Sequence, residues 1–172
     1  MVAGTHGVHG LRQSLLGADI LKLVRHVATG SLVVQQHSPR KPIERIVLPV
    51  SGHADISNLM DGVCALARAY PAEVLVYQLV RPGEQPSDQL LANRSRMFDR
   101  LREENIPHRD VVEPSTVFSV GFAEQTIRYA DSVGAGCIAI MAKASDEYRW
   151  IADAEKERLL ANVPGIPVLC AL

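Results

Sequence analysis

The sequence predicts an α/β fold in which an open, twisted, five-stranded parallel sheet carries helices on both faces. Two short runs, 46–50 (IVLPV) and 137–141 (CIAIM), are almost entirely apolar, which is typical of strands buried on both faces of a parallel sheet. The segments between such runs repeat their apolar residues at helical spacing. Strands that alternate with amphipathic helices indicate parallel βαβ units covered on both sides.

The predicted elements of residues 43–172 follow one another in strict alternation. Strands are expected at 46–50, 72–80, 109–112, 137–141 and 167–172, and helices at 56–70, 87–105, 120–130 and 150–160. The loop 81–86 interrupts the pattern with two prolines and a glycine. Right-handed crossovers in such a fold place any ligand at the carboxyl ends of the strands.

The first forty residues do not fit this fold as a sixth unit. They contain a trace of a strand at 1–3, a loop, a helix from about 11 to 27 and an apolar strand at 31–35. The linker 37–42 follows, with two prolines and three basic residues, a composition expected between domains. We therefore predict a helix-strand remnant of another such domain at 1–36, the linker, and a complete domain at 43–172.

Composition and charge exclude several classes of protein. The net charge is −1 and no basic run occurs, so nucleic acid is not expected as a partner. No apolar run reaches the roughly 18–20 residues of a membrane span, and the N-terminus has no signal-peptide pattern. A cytoplasmic protein is predicted. The three cysteines lie in apolar stretches without CxxC spacing, which favours buried, reduced thiols over metal ligands.

One glycine motif stands out, and it lies near the N-terminus. Gly4-Thr5-His6-Gly7 is followed by nine residues and then by Gly17-Ala18. Glycines allow bare backbone to approach a phosphate, and successive amides before a helix form a concave anion site. The position of this motif, after a strand and before a helix, favours phosphate binding over a plain turn.

This motif resembles the nucleotide loop of the ATP-binding universal stress proteins, which reads glycine, two residues, glycine, nine residues, glycine and then serine or threonine. The resemblance implies a Rossmann-like, adenine nucleotide alpha hydrolase-like fold and a nucleotide site for ATP with Mg. Its residues here would be Val2, Ala3, Gly4, Gly7, Gly17 and Ala18. Ala18 departs from the pattern and removes a hydroxyl, which costs about 0.5–1.5 kcal/mol of binding. The family's other adenosine contacts would belong to an upstream part of that domain.

Residues 43–172 resemble the same family over their whole length, from the opening strand at 45–50 to the closing strand at 166–169. The nucleotide-binding residues are not carried over. Ser51 stands where the family's first-strand aspartate would lie, and residues 142–146 contain no glycine. Asp146 in that loop would repel an anion. We therefore expect no ATP binding by this domain.

The resemblance also implies association through the closing strands, since members of the family pair through their fifth strands. The residues expected to pair are Leu32, Val33 and Val34 with Val168, Leu169 and Cys170. We predict a homodimer, with segments exchanged between chains as one form of it. The favoured function is a non-enzymatic stress-response or regulatory module. The alternative is an ATP-binding switch, with at most slow hydrolysis, that uses the glycine loop.

Two other groups of residues contain side chains that occur in catalytic or metal sites. Ser51-Gly52-His53 follows a strand, where catalytic residues often lie. No GxSxG elbow surrounds the serine and no acidic partner can be assigned, so no hydrolase triad is predicted. His6-x-x-His9 lacks a third ligand, and no metal site is expected.

Overall fold

Seven strands form the framework of the protein. The computed structural model describes residues 2–5, 19–27, 29–39, 42–80, 82–83, 85–115, 121–143 and 149–172. The strands are β1 (Val2–Thr5), β2 (Ser31–Gln35), β3 (Arg45–Pro49), β4 (Glu73–Val80), β5 (His108–Pro114), β6 (Cys137–Met141) and β7 (Val168–Ala171). Each strand predicted for residues 43–172 is present.

Helices connect the strands. The described part of α1 covers residues 19–25; the others are α2 (Ser57–Ala69), α3 (Asp88–Glu103), α4 (Phe122–Ser132) and α5 (Arg149–Leu160). The buried residues of α2 are Leu59, Met60, Val63, Cys64 and Ala67, which recur at helical spacing. At the start of α3 the Ser87 hydroxyl accepts a hydrogen bond from the Leu90 amide (3.3 Å) and caps the helix.

All seven strands belong to one sheet, in the order β1-β2-β7-β6-β3-β4-β5. The five strands from β7 to β5 are parallel, which confirms the predicted α/β class. The two additional strands come from the N-terminal segment. β2 pairs antiparallel with β7, and β1 pairs parallel with β2.

The centre of the sheet is inaccessible to solvent. Ile46, Val47 and Leu48 on β3 and Ile138 and Ala139 on β6 have no solvent exposure. Both faces of these strands are covered by helices, which explains why their sequences are apolar without alternation. The two central strands thus fix the positions of the loops that follow them.

The N-terminal segment shares the core of the C-terminal part. Leu21 and Val24 on α1 and Val33 on β2 are buried in the same apolar cluster as Leu159 and Leu160 on α5. The apolar face of the N-terminal segment is therefore covered within one chain in this structure.

The turn between α5 and β7 joins the N-terminal segment through polar contacts. The Asn162 carbonyl accepts a hydrogen bond from Gln35 Nε2 (2.9 Å), and the His37 ring lies 3.2 Å from the Val163 carbonyl oxygen. Gly165 adopts a φ of +69°, and a Cβ at this position would lie 2.7 Å from the His37 ring. Glycine is required at position 165 because the backbone has a positive φ there and because any side chain would clash with the His37 ring.

β5 is longer than the sequence predicted. Residues 109–112 were expected, whereas the strand covers His108–Pro114. It lies at an end of the sheet, so one of its sides has no strand partner and charged residues are tolerated along it. The weak apolar pattern of an edge strand hides its true length.

The predicted state of the cysteines is confirmed, because Cys64, Cys137 and Cys170 are all free and buried. Within the described ranges, no helix has the length and apolar character needed to cross a membrane. The same residues contain no group of three or more histidines, cysteines and carboxylates that could hold a metal.

Candidate functional site

The carboxyl ends of β3 and β6 meet at the middle of the sheet. From β3 the chain continues outward through β4 and β5, whereas β6 and β7 lie on the other side of β3. The order of the strands therefore reverses between β3 and β6, which is the usual position of a ligand site in open α/β sheets. Ser51 follows β3, and Lys143 follows β6.

Ser51, His53 and the backbone of Lys143 form a chain of hydrogen bonds at this point. Ser51 Oγ lies 2.5 Å from His53 Nδ1, and His53 Nε2 lies 3.0 Å from the Lys143 carbonyl oxygen. A carbonyl oxygen only accepts, so Nε2 carries the proton and donates to it. When the ring is neutral, Nδ1 is an acceptor, and the Ser51 hydroxyl donates to it.

Asn93, on α3, holds the loop that carries this pair. Its side chain is fully buried, and Nδ2 donates to the carbonyl oxygens of Ser51 (2.6 Å) and His53 (2.7 Å). Its Oδ1 accepts from Gln89 Nε2 (3.0 Å). The amide is thereby satisfied at both ends, and the Ser51 and His53 backbone is fixed relative to α3.

Two cationic side chains hold the segment that follows β6. Lys156 Nζ donates to the Lys143 carbonyl oxygen, the same atom that His53 contacts. Arg25 Nε donates to the Ala142 carbonyl oxygen (2.7 Å), and its two terminal nitrogens contact Asp153 at 2.9 and 2.5 Å. The N-terminal helix α1 therefore contributes directly to the structure around the carboxyl end of β6.

Lys156 is a buried cation in a positive environment. The residue is 9% exposed, and burial lowers the pKa of its amine to about 8, with a further lowering by Arg25 and an opposing effect of Asp153. Burial disfavours the charged form of an amine, as does a like charge nearby. The amine is thus a hydrogen-bond donor whose protonation costs stability.

The glycine motif lies only partly within the described residues. Val2, Ala3 and Gly4 lie on β1, where Gly4 is in register with Val34 of β2. Gly7, Gly17 and Ala18 lie outside the described residues, as does the loop at 144–148 with Asp146. β1 runs parallel to β2, with α1 between them in sequence. In sequence, residues 6–18 thus follow the carboxyl end of a strand and precede a helix.

The residues expected to pair through the closing strands are brought together within one chain. Leu32 is in register with Leu169, and Val33 with Val168. Cys170 is opposite Ser31, whereas Val34 is aligned with Gly4 on β1. The ladder between β2 and β7 is short and antiparallel.

Sequence reasoning missed Asn93, Lys156 and Arg25. Asn93 is spaced four and eight residues from Met97 and Leu101, which are buried on the same helix, so a polar residue on an apolar stripe was the available signal. Lys156 precedes Leu160 by four residues in the same way. Arg25 carried no comparable signal.

Comparison with solved structures finds universal stress proteins. One from Archaeoglobus fulgidus DSM 4304 has a TM-score of 0.68 at 11% identity, over 99% of this chain and 60% of that chain. The universal stress protein from Archaeoglobus fulgidus in complex with dAMP has a TM-score of 0.53 at 20% identity, over 76% and 98% of the two chains. A universal stress protein in complex with cAMP has a TM-score of 0.56 at 13% identity, over 76% and 98%.

These likenesses show the fold, and they confirm the predicted resemblance at that level: the chain has the fold of the universal stress proteins. It spans about 60% of the length of the first of these structures. No family model matches the sequence, and no curated protein matches it significantly.

Proposed function

We propose that this chain is a stress-response or regulatory module that works by association, first of all with a second copy of itself. The observation that carries the proposal is the antiparallel ladder between β2 and β7. Three residue pairs join the N-terminal segment to the sheet there, and the same contacts can form between two chains that exchange their N-terminal segments.

The edges of the sheet support the same proposal. β1 and β5 are the two end strands. β5 carries Arg109, Asp110, Glu113 and Pro114, and charges and proline discourage the addition of another strand. β1 has the sequence VAGT, with neither a charge nor a proline. Among the described strands none pairs with its outer edge, so this edge suits a strand of a second copy.

A single substitution tests the exchange between chains. Ser31 is buried and directly opposite Cys170 on the neighbouring strand, within the Cα separation that a disulfide spans. We expect oxidised Ser31→Cys to run at twice the mass of the chain on a non-reducing denaturing gel, because the proposed exchange pairs β2 of one chain with β7 of another. The oxidation needs alkaline pH, since burial raises the pKa of the Cys170 thiol to about 12.

The control is Ser31→Cys in a Cys170→Ser background, which should form no disulfide between these strands. A disulfide within one chain, together with a dimeric mass by light scattering at micromolar concentration, would support association through the β1 edge instead. A disulfide within one chain in a monomeric particle would contradict self-association.

We also propose that residues 43–172 do not bind ATP. Ser51 and His53 are hydrogen-bonded to each other at the end of β3, and the carbonyls after β6 receive side-chain donors. These contacts support the proposal that the segments after β3 and β6 are held by protein side chains and do not form a phosphate-binding loop. A cytoplasmic location and a regulatory role that does not depend on catalysis belong to the proposal as well; the three free cysteines support a reducing compartment.

The alternative is an ATP-binding switch that uses the glycine loop. The parallel crossover from β1 through α1 to β2 supports it, because phosphates bind where such a strand leads into a helix. Similar structures were solved with dAMP and with cAMP, which favours an adenine nucleotide with Mg as the ligand class.

Calorimetric titration with Mg-ATP decides between the two functions. A switch predicts micromolar binding that is lost in Gly17→Val, because a branched side chain blocks the approach of backbone to phosphate. Gly52→Val is the matched control, since a Cβ at Gly52 would meet no atom within 4 Å. The association module predicts no heat at millimolar ATP in any of the three proteins.

A further inference from the structure

The contacts of Ser51 and His53 match those of an activated nucleophile. The Ser51 hydroxyl donates to His53 Nδ1 over 2.5 Å, and the opposite nitrogen of the ring donates to a backbone oxygen over 3.0 Å. Enzymes that use a serine nucleophile pair the hydroxyl with a base and orient the base with a third group. Here the Lys143 carbonyl provides the orientation that the sequence alone could not assign to any acidic residue.

We propose that Ser51 is a nucleophile, that His53 is its general base, and that the pair accepts acyl groups from small carboxylic esters. This is an activity beyond the proposed regulatory function and independent of it. Both residues lie at the point where the order of the parallel strands reverses, and Ser51 is two residues beyond the end of the central strand β3.

The pair is held in place before any substrate arrives. The buried Asn93 amide binds the backbone carbonyls of both residues, which fixes the backbone that carries them, and the contact of His53 Nε2 with the Lys143 carbonyl oxygen holds the ring. A fixed geometry between nucleophile and base is what makes an intramolecular proton transfer efficient.

The pair is also reachable from solvent. Ser51 and His53 are half-buried, and Gly52 between them is exposed. A Cβ added at Gly52 would contact nothing within 4 Å. Among the described residues, none has an atom within 4 Å of that position, so a small ester can approach the Ser51 hydroxyl beside Gly52.

The chemical step balances without a cofactor. Ser51 Oγ attacks the ester carbonyl carbon while its proton moves to His53 Nδ1. The bond to the leaving alcohol breaks, and the leaving oxygen takes the proton from Nδ1. Water then attacks the acyl-serine, with its proton passing through Nδ1, and releases the carboxylic acid and the free serine.

Lys156 limits the rate of this step. Its ammonium donates to the same Lys143 oxygen as His53, so the imidazolium that forms during the attack lies close to a second positive charge. Slow acylation is expected for this reason, and an activated ester with a good leaving group is the suitable substrate.

The competing explanation is a purely local turn. Ser51 Oγ also lies 3.4 Å from the His53 amide, and serine side chains often bond to backbone two residues on. In that case the short contact with the ring would stabilise the loop, and the serine would react no faster than any other serine of the chain.

The test is the reaction of the full chain with p-nitrophenyl acetate, followed by p-nitrophenol release and by peptide mass spectrometry of the acid-quenched protein. We expect an acetyl group on Ser51, and a release rate that falls about 100-fold or more in Ser51→Ala and in His53→Asn, the usual size of a general-base contribution. Asparagine at position 53 retains an acceptor for the hydroxyl but cannot take up its proton.

Ser132→Ala is the matched control, because the Ser132 hydroxyl is exposed and donates to the Tyr129 carbonyl (2.7 Å) with no histidine involved. It should leave the release rate unchanged. Thermal melts of all variants establish that each is folded. Acetylation only at lysines, or equal rates in folded Ser51→Ala and the parent chain, would overturn the assignment.

Discussion

Replacing Asn162 by leucine is expected to lower the free energy of unfolding by about 3–4 kcal/mol. The Asn162 side chain is 2% exposed. Its Nδ2 donates to the carbonyl oxygens of Leu159 and Ile166, and its Oδ1 accepts from the Ile166 amide, all at 2.8 Å. Leucine leaves these buried backbone groups without partners, and each unsatisfied group costs about 1–3 kcal/mol.

Urea denaturation followed by circular dichroism measures this change. The matched control is Asn58→Leu, in which an exposed asparagine loses one hydrogen bond to the Leu172 carbonyl (2.9 Å). It should change the free energy of unfolding by about 0.5–1.5 kcal/mol or less. Equal effects of the two substitutions would show that the turn between α5 and β7 does not depend on the Asn162 side chain.

The same turn is where the N-terminal segment meets the rest of the chain. Gln35 Nε2 donates to the Asn162 carbonyl, 127 residues away in sequence. Loosening the turn therefore also weakens the attachment of β2. The fraction of Ser31→Cys chains that form the disulfide with Cys170 on oxidation measures how firmly β2 is attached to β7.

The central strands could be predicted because their sequences are almost entirely apolar. β6 was expected at 137–141 and has those bounds, and β3 was expected at 46–50 and covers Arg45–Pro49. A strand that is covered on both faces needs apolar residues at every position. Edge strands lack that constraint, which is why β5 was predicted too short.

The order of β1 and β2 in the sheet could not follow from periodicity alone. The pairing of β2 with β7 was expected only from the likeness to universal stress proteins, and its antiparallel direction comes from the structure. The local pattern of SLVVQ predicts a strand but does not reveal its neighbour or its direction.

The contacts around Ser51 were beyond sequence reasoning for a different reason. Asn93 reaches Ser51 across 42 residues of chain, and His53 reaches Lys143 across 90. Such contacts depend on how α3 and β6 pack against β3, which no local pattern encodes. The sequence placed Ser51 and His53 at the correct edge of the sheet but could not supply the oxygen that orients the ring.

The buried amine of Lys156 predicts a pH-dependent stability. Burial lowers its pKa to about 8 in the folded protein, from an ordinary value of 10.5. Between these two values the unfolded chain binds more protons than the folded one, so this residue makes stability rise with pH over that window. Below pH 8 its full penalty is present, and above about pH 10.5 the penalty vanishes.

Lys156→Met removes this penalty while it keeps the volume of the side chain. At pH 7 we expect the variant to be more stable than the parent chain by roughly 3 kcal/mol, the free energy that corresponds to the change in pKa. The advantage should shrink as the pH rises from 8 towards 10. The Lys143 carbonyl oxygen keeps its contact with His53 Nε2 in the variant, so methionine leaves no buried acceptor without a partner.

Urea titrations of both proteins at several pH values between 7 and 10 measure this difference, and subtraction removes the titration of the other groups. Lys143→Met is the control, since that side chain is exposed, and it should change stability by no more than about 0.5 kcal/mol throughout. Arg25 and Asp153 remain in both proteins, so the difference reports the amine of Lys156 in its own surroundings. A stability difference that stays constant across this range would mean that the amine is as well solvated in the folded chain as in the unfolded one. The hydrogen bond to the Lys143 carbonyl would then carry no cost of charge burial.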